Sequence, residues 1–210
     1  MHRSAIVLAG GSSSRFGEDK GVIELSCEPL IRRVLDSVRP AVDEIIVVTS
    51  SHERAAKYAK FVGGDVKFAV DECESKGPLI GALTGFGVAE GDYALLAPFD
   101  APFISREVIT LLFELCAGKA AVIPRWPNGQ IEPLHAVYRT KIALECAKSA
   151  VNEGRLDMRG MIERMQSVRF VSTLVIEQLD PELKTFFNVN KPVDLKKAVA
   201  LDKRKKLDEV

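Results

Sequence analysis

Two stretches of this chain hold side chains of the types that polyphosphate chemistry uses. Residues 8–20 read LAGGSSSRFGEDK: an apolar stretch runs into Gly10-Gly11, then three serines, then Arg15 and Lys20. Glycine- and serine-rich backbone loses much conformational entropy on ordering, so an ordered run of this kind needs something to compensate it. A strand that ends in Gly10-Gly11 can bend sharply and turn successive backbone N–H groups into a concavity for phosphate oxygens. Ser12, Ser13 and Ser14 add hydroxyl donors; Arg15 can grip a polyphosphate with two parallel hydrogen bonds, and Lys20 brings a point charge on a long stem. The plain alternative is a glycine-rich turn with two exposed basic side chains. The second stretch, PFDAPF at 98–103, sets Asp100 just past an apolar run and ahead of Pro102. A carboxylate beside a phosphate site is a natural Mg²⁺ ligand, since that ion takes one or two carboxylates and completes its shell with substrate phosphates and water. Asp100 could instead cap a following helix, but Ser105 is already placed to do so.

Several familiar assignments fail on spacing. Walker A needs four residues between its glycines and then Gly-Lys-Ser/Thr, whereas Gly11 and Gly17 are separated by five residues and Glu18-Asp19 precede Lys20. No G-x-G-x-x-G occurs there either, and GFGVAEG at 85–91 falls where a helix should end, as packing. The 29 Lys and Arg residues balance 29 Asp and Glu, which argues against nucleic acid as the main partner. Cys27, Cys73, Cys116 and Cys146 are scattered without a C-x-x-C pair, as expected of reduced, buried thiols rather than a zinc site. The apolar stretch at 5–9 is too short for a signal peptide and no run reaches membrane-spanning length, so a cytoplasmic protein that does not engage membranes is expected.

The elements that would position these residues alternate. Strands are expected at 4–9, 44–49, 66–70, 92–97 and 120–123, and helices at 29–38, 52–61, 78–89 and 106–115. Farther on, 134–138 and 168–176 read as strands, 140–151 and 158–165 as helices, and a last helix begins near Pro192. Such alternation implies an α/β protein: a single doubly wound, mostly parallel sheet with right-handed crossovers and helices on both faces. Ligands of such sheets sit at the carboxyl ends of the strands, where the strand order reverses. The loops at 10–20, 71–78 and 98–103 are therefore the ones to watch. No linker or repeat divides the chain, so one domain over 1–210 is expected, with a nucleotide-binding half at about 1–105 and an acceptor-binding half at about 106–200.

Taken together, LAGG-x-S-x-R-x-G-x-D-K at 8–20, GPLIG at 77–81, DAPF at 100–103 and NVNKPVDL at 188–195 resemble the molybdenum cofactor guanylyltransferases of the nucleotidyltransferase A-type superfamily. The likeness runs in order from residue 4 to about 196. Gly10-Gly11, Asp19-Lys20 and GPLIG point to the guanylyl branch, since cytidylyl relatives tend to carry LAAG and lack the GPL-x-G element. The resemblance implies a Rossmann-like nucleotidyltransferase that moves GMP from GTP to the terminal phosphate of molybdopterin and releases pyrophosphate. It implies GTP contacts from Leu8, Ala9, Gly10, Gly11, Ser12 and Lys20, an acidic nucleotide contact at Asp71, and Mg²⁺ on Asp100. Gly77, Pro78 and Leu79 would lie near the guanine, whose N–H donors suit Asp71 or a backbone carbonyl. Asp71 could equally just end a strand in a turn. Where relatives carry an Asn after the second strand, this chain reads VVTSSHER, leaving Ser50 or Ser51 as substitutes.

The acceptor side is less defined. Asn188 and Asn190 belong to the N-x-N-x-P element; Asn190 could orient a phosphate or a second metal, or the pair could cap the last helix. Arg155 and Arg159 could hold the pterin's phosphate or be plain surface arginines. His135, in EPLHAVY, could face the acceptor or be packing, and Trp126 could stack on a pterin or pack at a loop. Proteins that deliver the cofactor or receive it are conceivable partners. A phosphate monoester acceptor has a second pKa of about 6 and needs no general base, which matches the lack of a nucleophile triad; Arg15, Lys20 and Asp100 would carry the reaction. The alternatives are a related transferase using CTP or another acceptor (a sugar phosphate, a cobinamide phosphate, a phospholactate) and a GTP-binding assembly module without turnover.

Overall fold

The structure, a computed structural model, describes residues 2–10, 19–71, 73 and 77–208, with side chains up to residue 203. Gly11, Ser12, Ser13, Ser14 and Arg15 lie outside the described residues. β1 (Arg3–Leu8) is followed by a small hairpin, β2 (Glu24–Leu25) and β3 (Glu28–Pro29), and then by α1 (Leu30–Val38). Next come β4 (Glu44–Thr49), α2 (His52–Ala59), β5 (Val66–Val70), α3 (Pro78–Val88), β6 (Tyr93–Pro98) and α4 (Arg106–Cys116). The second half holds β7 (Ala121–Arg125), β8 (Ala136–Arg139), α5 (Thr140–Asn152), α6 (Met158–Ile162), β9 (Val168–Ser172), α7 (Thr173–Ile176) and α8 (Pro192–Asp208).

Among the described residues, seven strands form one sheet in the order β5-β4-β1-β6-β8-β7-β9. β8 alone runs antiparallel, paired with β6 on one side and β7 on the other. β1 sits at the reversal: the chain steps outward through β4 to β5 on one flank and resumes at β6 on the other. Side chains of β1 alternate between the two faces, as strand geometry requires. Ala5 and Val7 join one core with residues of α1 and α4, and Ile6 joins a second core with residues of α3, α5 and α6. Gly85 brings α3 down onto the sheet, because a Cβ there would lie 2.3 Å from Ile6 Cγ2 and 3.2 Å from Val48 Cγ2.

Three sequence expectations are corrected. The segment expected as a strand to residue 176 stops at Ser172, whose hydroxyl accepts from Leu174 N and starts α7. The helix expected at 158–165 ends at Ile162. The cysteines are not uniformly buried: Cys116 is, but Cys27 and Cys73 are exposed. Cys27 is exposed because Ser26-Cys27 is the two-residue turn of the β2–β3 hairpin, and both residues take positive φ, 53° and 68°. Asn-Gly is the usual signal for such a turn, and without it the hairpin is hard to read from the sequence. No helix among the described residues is long and apolar enough to cross a membrane.

Candidate active site

β1 and β6 are parallel neighbours with Leu8 opposite Pro98, so the chain leaves both strands at the same sheet edge. Ala9 N donates to Val48 O at 2.8 Å and Phe99 N to Leu8 O at 3.2 Å, which carries the regular backbone slightly past the strand ends. Beyond them, Lys20 opens a 3-10 turn (Lys20–Val22) and Asp100 follows β6. Lys20 Nζ lies 2.8 Å from Asp100 Oδ2 and 3.0 Å from Asn190 Oδ1. The two charged side chains are 11% and 12% exposed, so the contact is a nearly buried, charge-assisted hydrogen bond. Eighty residues separate Lys20 from Asp100, and ninety more lead to Asn190.

The third strand of chain arrives by its backbone. Val189 N donates to Asp100 O at 2.8 Å, and the Val189 side chain is fully buried with Leu25, Leu30 and Ala198. Asp194 in the first turn of α8 accepts from Asn190 N and Lys191 N at 3.0 and 2.8 Å, fixing the turn that presents Asn190. Asp194, not Asn188 or Asn190, supplies the capping carboxylate here, and the Asn190 amide oxygen accepts from Lys20. Among the described residues, the buried Asn188 Oδ1 atom has no hydrogen-bond partner. Asp100 does not cap α4, because Ser105 does so by accepting from Val108 N.

The donor set at this edge suits a hard cation. Among the described residues Asp100 Oδ1 receives no hydrogen bond, and Asn190 brings a neutral oxygen to the same lysine. No group of three or more His, Cys, Asp or Glu suited to a metal occurs among the described residues. One carboxylate, completed by substrate phosphate and water, is a set Mg²⁺ tolerates and a zinc cage does not.

Other expected residues lie at or near the ends of other strands and helices. Asp71 ends β5, its amide donates to Thr49 O, and its Oδ1 accepts from Cys73 N at 3.1 Å, a turn of the Asx type. Gly77 precedes α3 at a point where a Cβ would lie 2.8 Å from Leu156 O, so the α5–α6 loop presses on the start of that helix. Pro78 occupies the first turn, and the Leu79 side chain is fully buried in the core. Arg155 is taken up by Asp157 and Glu163, while Arg159 is exposed. Ser50 and Ser51 serve α2 locally, bonded to the Arg54 side chain and backbone N–H.

His135 is 4% exposed; among the described residues neither ring nitrogen has a hydrogen bond, and Nδ1 lies 3.9 Å from Glu132 Oε2. It packs edge-on to Phe186, as Trp126 does, and Trp126 Nε1 donates to Glu132 Oε1 at 2.7 Å. Burial pushes the His135 pKa down to about 4 and raises that of Glu132, whose bond to Trp126 pulls it back partway. For both Trp126 and His135 the packing reading fits these contacts. Sequence reasoning gave no role to Asp19 or Tyr58, yet the Tyr58 hydroxyl donates to Asp19 Oδ1 at 2.5 Å. The available signal was a lone aromatic, Tyr58, in an otherwise charged and alanine-rich helix, HERAAKYA.

Known proteins resemble this chain along most of its length. Residues 5–168 match the family model described as the MobA-like NTP transferase domain. A Methanosarcina mazei protein named probable molybdenum cofactor guanylyltransferase is 36% identical over 208 residues, covering 97% of this chain and 92% of that protein. A Desulfosudis oleivorans protein named molybdenum cofactor guanylyltransferase is 30% identical, covering 94% of each. The crystal structure of molybdopterin-guanine dinucleotide biosynthesis protein A from Archaeoglobus fulgidus superposes with a TM-score of 0.81 at 27% identity, covering 96% of this chain and 99% of that one. The fold is shared more widely: a Thermus thermophilus 2-C-methyl-D-erythritol 4-phosphate cytidylyltransferase superposes with a TM-score of 0.70 at 18% identity over 97% of this chain and 100% of that one. By sequence and by structure, the chain belongs to the MobA-like NTP transferase family, among the molybdenum cofactor guanylyltransferases.

Proposed function

We propose that this protein transfers GMP from GTP to the terminal phosphate of molybdopterin in the presence of Mg²⁺, releasing pyrophosphate. The observation that carries the reading is the convergence of Lys20, Asp100 and Asn190 at the sheet edge where β1 and β6 end. An oxygen of the acceptor phosphate forms the new bond to the α-phosphorus of GTP, and the bond to the β-phosphate oxygen breaks. The acceptor is mostly dianionic at neutral pH, its second pKa being about 6, so no side chain has to take a proton from it. Charge neutralisation and in-line alignment are what remain for the protein to supply.

Lys20, held by Asp100 and Asn190, would bring donor and acceptor phosphates together against their mutual repulsion. Arg15 would draw charge onto the departing pyrophosphate. Asp100, with Asn190 next to it on Lys20, would hold Mg²⁺, which would supply charge neutralisation on the triphosphate. Leu8, Ala9, Gly10, Gly11 and Ser12 would cradle GTP largely by backbone, while Asp71 and the α3 start at Gly77, Pro78 and Leu79 read the base. Leu79 would take part through its backbone, since its side chain is in the core. On the acceptor side, Asn188 offers an unpartnered buried oxygen, and Arg155 and Arg159 offer charge near the α5–α6 loop.

Isothermal titration with GTP, ATP and CTP in Mg²⁺, alongside Asp100→Ala, tests the reading. A preference for GTP that weakens in the variant, with pyrophosphate released once molybdopterin is added, is expected. A preference for CTP would move the chain to cytidylyl chemistry. GTP binding without pyrophosphate release from any acceptor would make it a binding module.

A further inference from the structure

We infer that Asp19 and Tyr58 act together as a positioning clamp that sets the Lys20 ammonium against Asp100, an inference resting on the role proposed above for Lys20. A lysine stem is long and freely rotating, and Lys20 follows a glycine- and serine-rich sequence, which by composition does little to fix its backbone. Something rigid must therefore fix the backbone from which the stem projects. The residues on either side of Lys20 are both gripped by α2. Asp19 Oδ1 accepts from the Tyr58 hydroxyl at 2.5 Å and from Gly21 N at 3.1 Å, closing the turn around Lys20 with a single oxygen. Asp19 Oδ2 faces Arg54 Nε at 3.4 Å and Lys57 Nζ at 3.7 Å, so three side chains of one helix converge on this carboxylate.

Packing leaves the clamp little slack. Tyr58 is fully buried and is the only buried residue of α2, so its ring is what docks that helix here. A Cβ on Gly21 would lie 2.5 to 2.6 Å from the Tyr58 ring and hydroxyl, so the phenol rests directly on the backbone next to Lys20. Phenylalanine would fill the same space without the buried hydroxyl, whose presence makes sense only through its bond to Asp19. Burial and the Asp19 carboxylate push the Tyr58 pKa upward, so the phenol stays a donor across the working range. Ser51, two residues past β4, caps the start of α2, and Thr49 Oγ1 at the end of β4 donates to Ser51 O at 3.1 Å, so the clamp refers Lys20 to the central sheet. Misplacing a reacting group by about 1 Å can reduce rate on the order of 10²-fold.

The test compares Tyr58→Phe, Asp19→Ala and Asp19→Asn by three readouts: the ¹H–¹⁵N resonance of the Lys20 ammonium in protein without nucleotide, the steady-state kcat and KM for GTP, and the melting temperature. Lys20→Arg identifies the resonance. In Tyr58→Phe the resonance is expected to broaden or vanish, with kcat falling roughly 10- to 100-fold, KM moving far less, and the melting temperature falling only a few degrees. Asp19→Ala should behave alike, and Asp19→Asn, which keeps the accepting oxygen, should recover part of kcat. A Lys20 resonance as sharp and unshifted in Tyr58→Phe as in the wild type would overturn the clamp. So would a loss of rate accounted for by the unfolded fraction. Because the resonance is read without substrate, it decides the clamp even if the wild type fails to transfer GMP, a result that would sink the proposed function instead.

Discussion

Lys20 and Asp100 are buried charges that meet at the sheet edge where the candidate site lies. Losing one electrostatic contact to a transferring phosphate typically costs about 3 kcal/mol of barrier, roughly two to three decades in rate. Lys20→Ala should therefore lose two to three decades of kcat, and a kcat near that of the wild type would remove Lys20 from the reaction. His135 offers a second prediction with a defined sign. Its folded-state pKa of about 4 lies below the usual 6.5, so between those values the unfolded chain binds more protons than the folded one. Stability is then complete above about pH 6.5 and is lost as pH falls toward 4, by up to about 3 kcal/mol for a fully buried imidazole. Glu132 works in the opposite sense, because its raised pKa makes the folded state the better proton binder. The difference between wild type and His135→Leu in urea unfolding at pH 7, 6 and 5 isolates the histidine, and equal pH slopes in the two proteins would refute the assignment.

At the scale of elements, α3 is the helix whose seating matters most, since it runs from the loop after β5 across the sheet beside β1. Gly85 and Gly87, two residues apart on that helix, should respond oppositely to the same substitution. A Cβ at Gly85 meets Ile6 Cγ2 at 2.3 Å, whereas one at Gly87 meets nothing within 4 Å. Overpacking typically costs about 1 to 3 kcal/mol, and exchanging a helical glycine for alanine returns up to about 1 kcal/mol. Gly85→Ala should therefore destabilise the protein and Gly87→Ala stabilise it, as read from urea midpoints at constant m. If Gly85→Ala proved neutral, α3 would have room to lift, and the α3 start could not be fixed relative to β1. Tyr58 plays the corresponding part for α2, docking a largely exposed helix by one ring.

At the scale of the whole molecule, the site is assembled from three distant parts of the chain around one sheet, with a core on each face. The faces share β1, β4 and β6, so neither can melt while the other stands. A single cooperative unfolding transition is expected for the chain, as for one domain over 1–210. A nucleotide that binds only the folded state stabilises it by about 2.7 kcal/mol at a hundred times its Kd. For a protein of this size that corresponds to a rise of roughly 5 to 10 °C in Tm. GTP with Mg²⁺ should produce such a rise in differential scanning calorimetry, and two separate transitions, one alone moved by GTP, would show that the halves fold independently.

Most of the layered architecture was legible in the sequence because it rests on local pattern. Buried β-branched runs such as EIIVVT, amphipathic helices between them and capping residues such as Ser105 are written within a few residues of where they act. Lys20 and Asp100 could also be named in advance, since glycines before a lysine and an aspartate after an apolar strand are local signals, whereas Asn190 was named only through the resemblance of the 188–195 element. What they touch could not. Only the packed sheet, with β1 beside β6 and the 188–190 segment laid on Asp100, brings a lysine, a carboxylate and an amide from three parts of the chain within about 3 Å. The antiparallel insertion of β8, the Ser26-Cys27 turn and the grip of Tyr58 on Asp19 were likewise decided by tertiary packing, which selects partners across the chain that no spacing along it records.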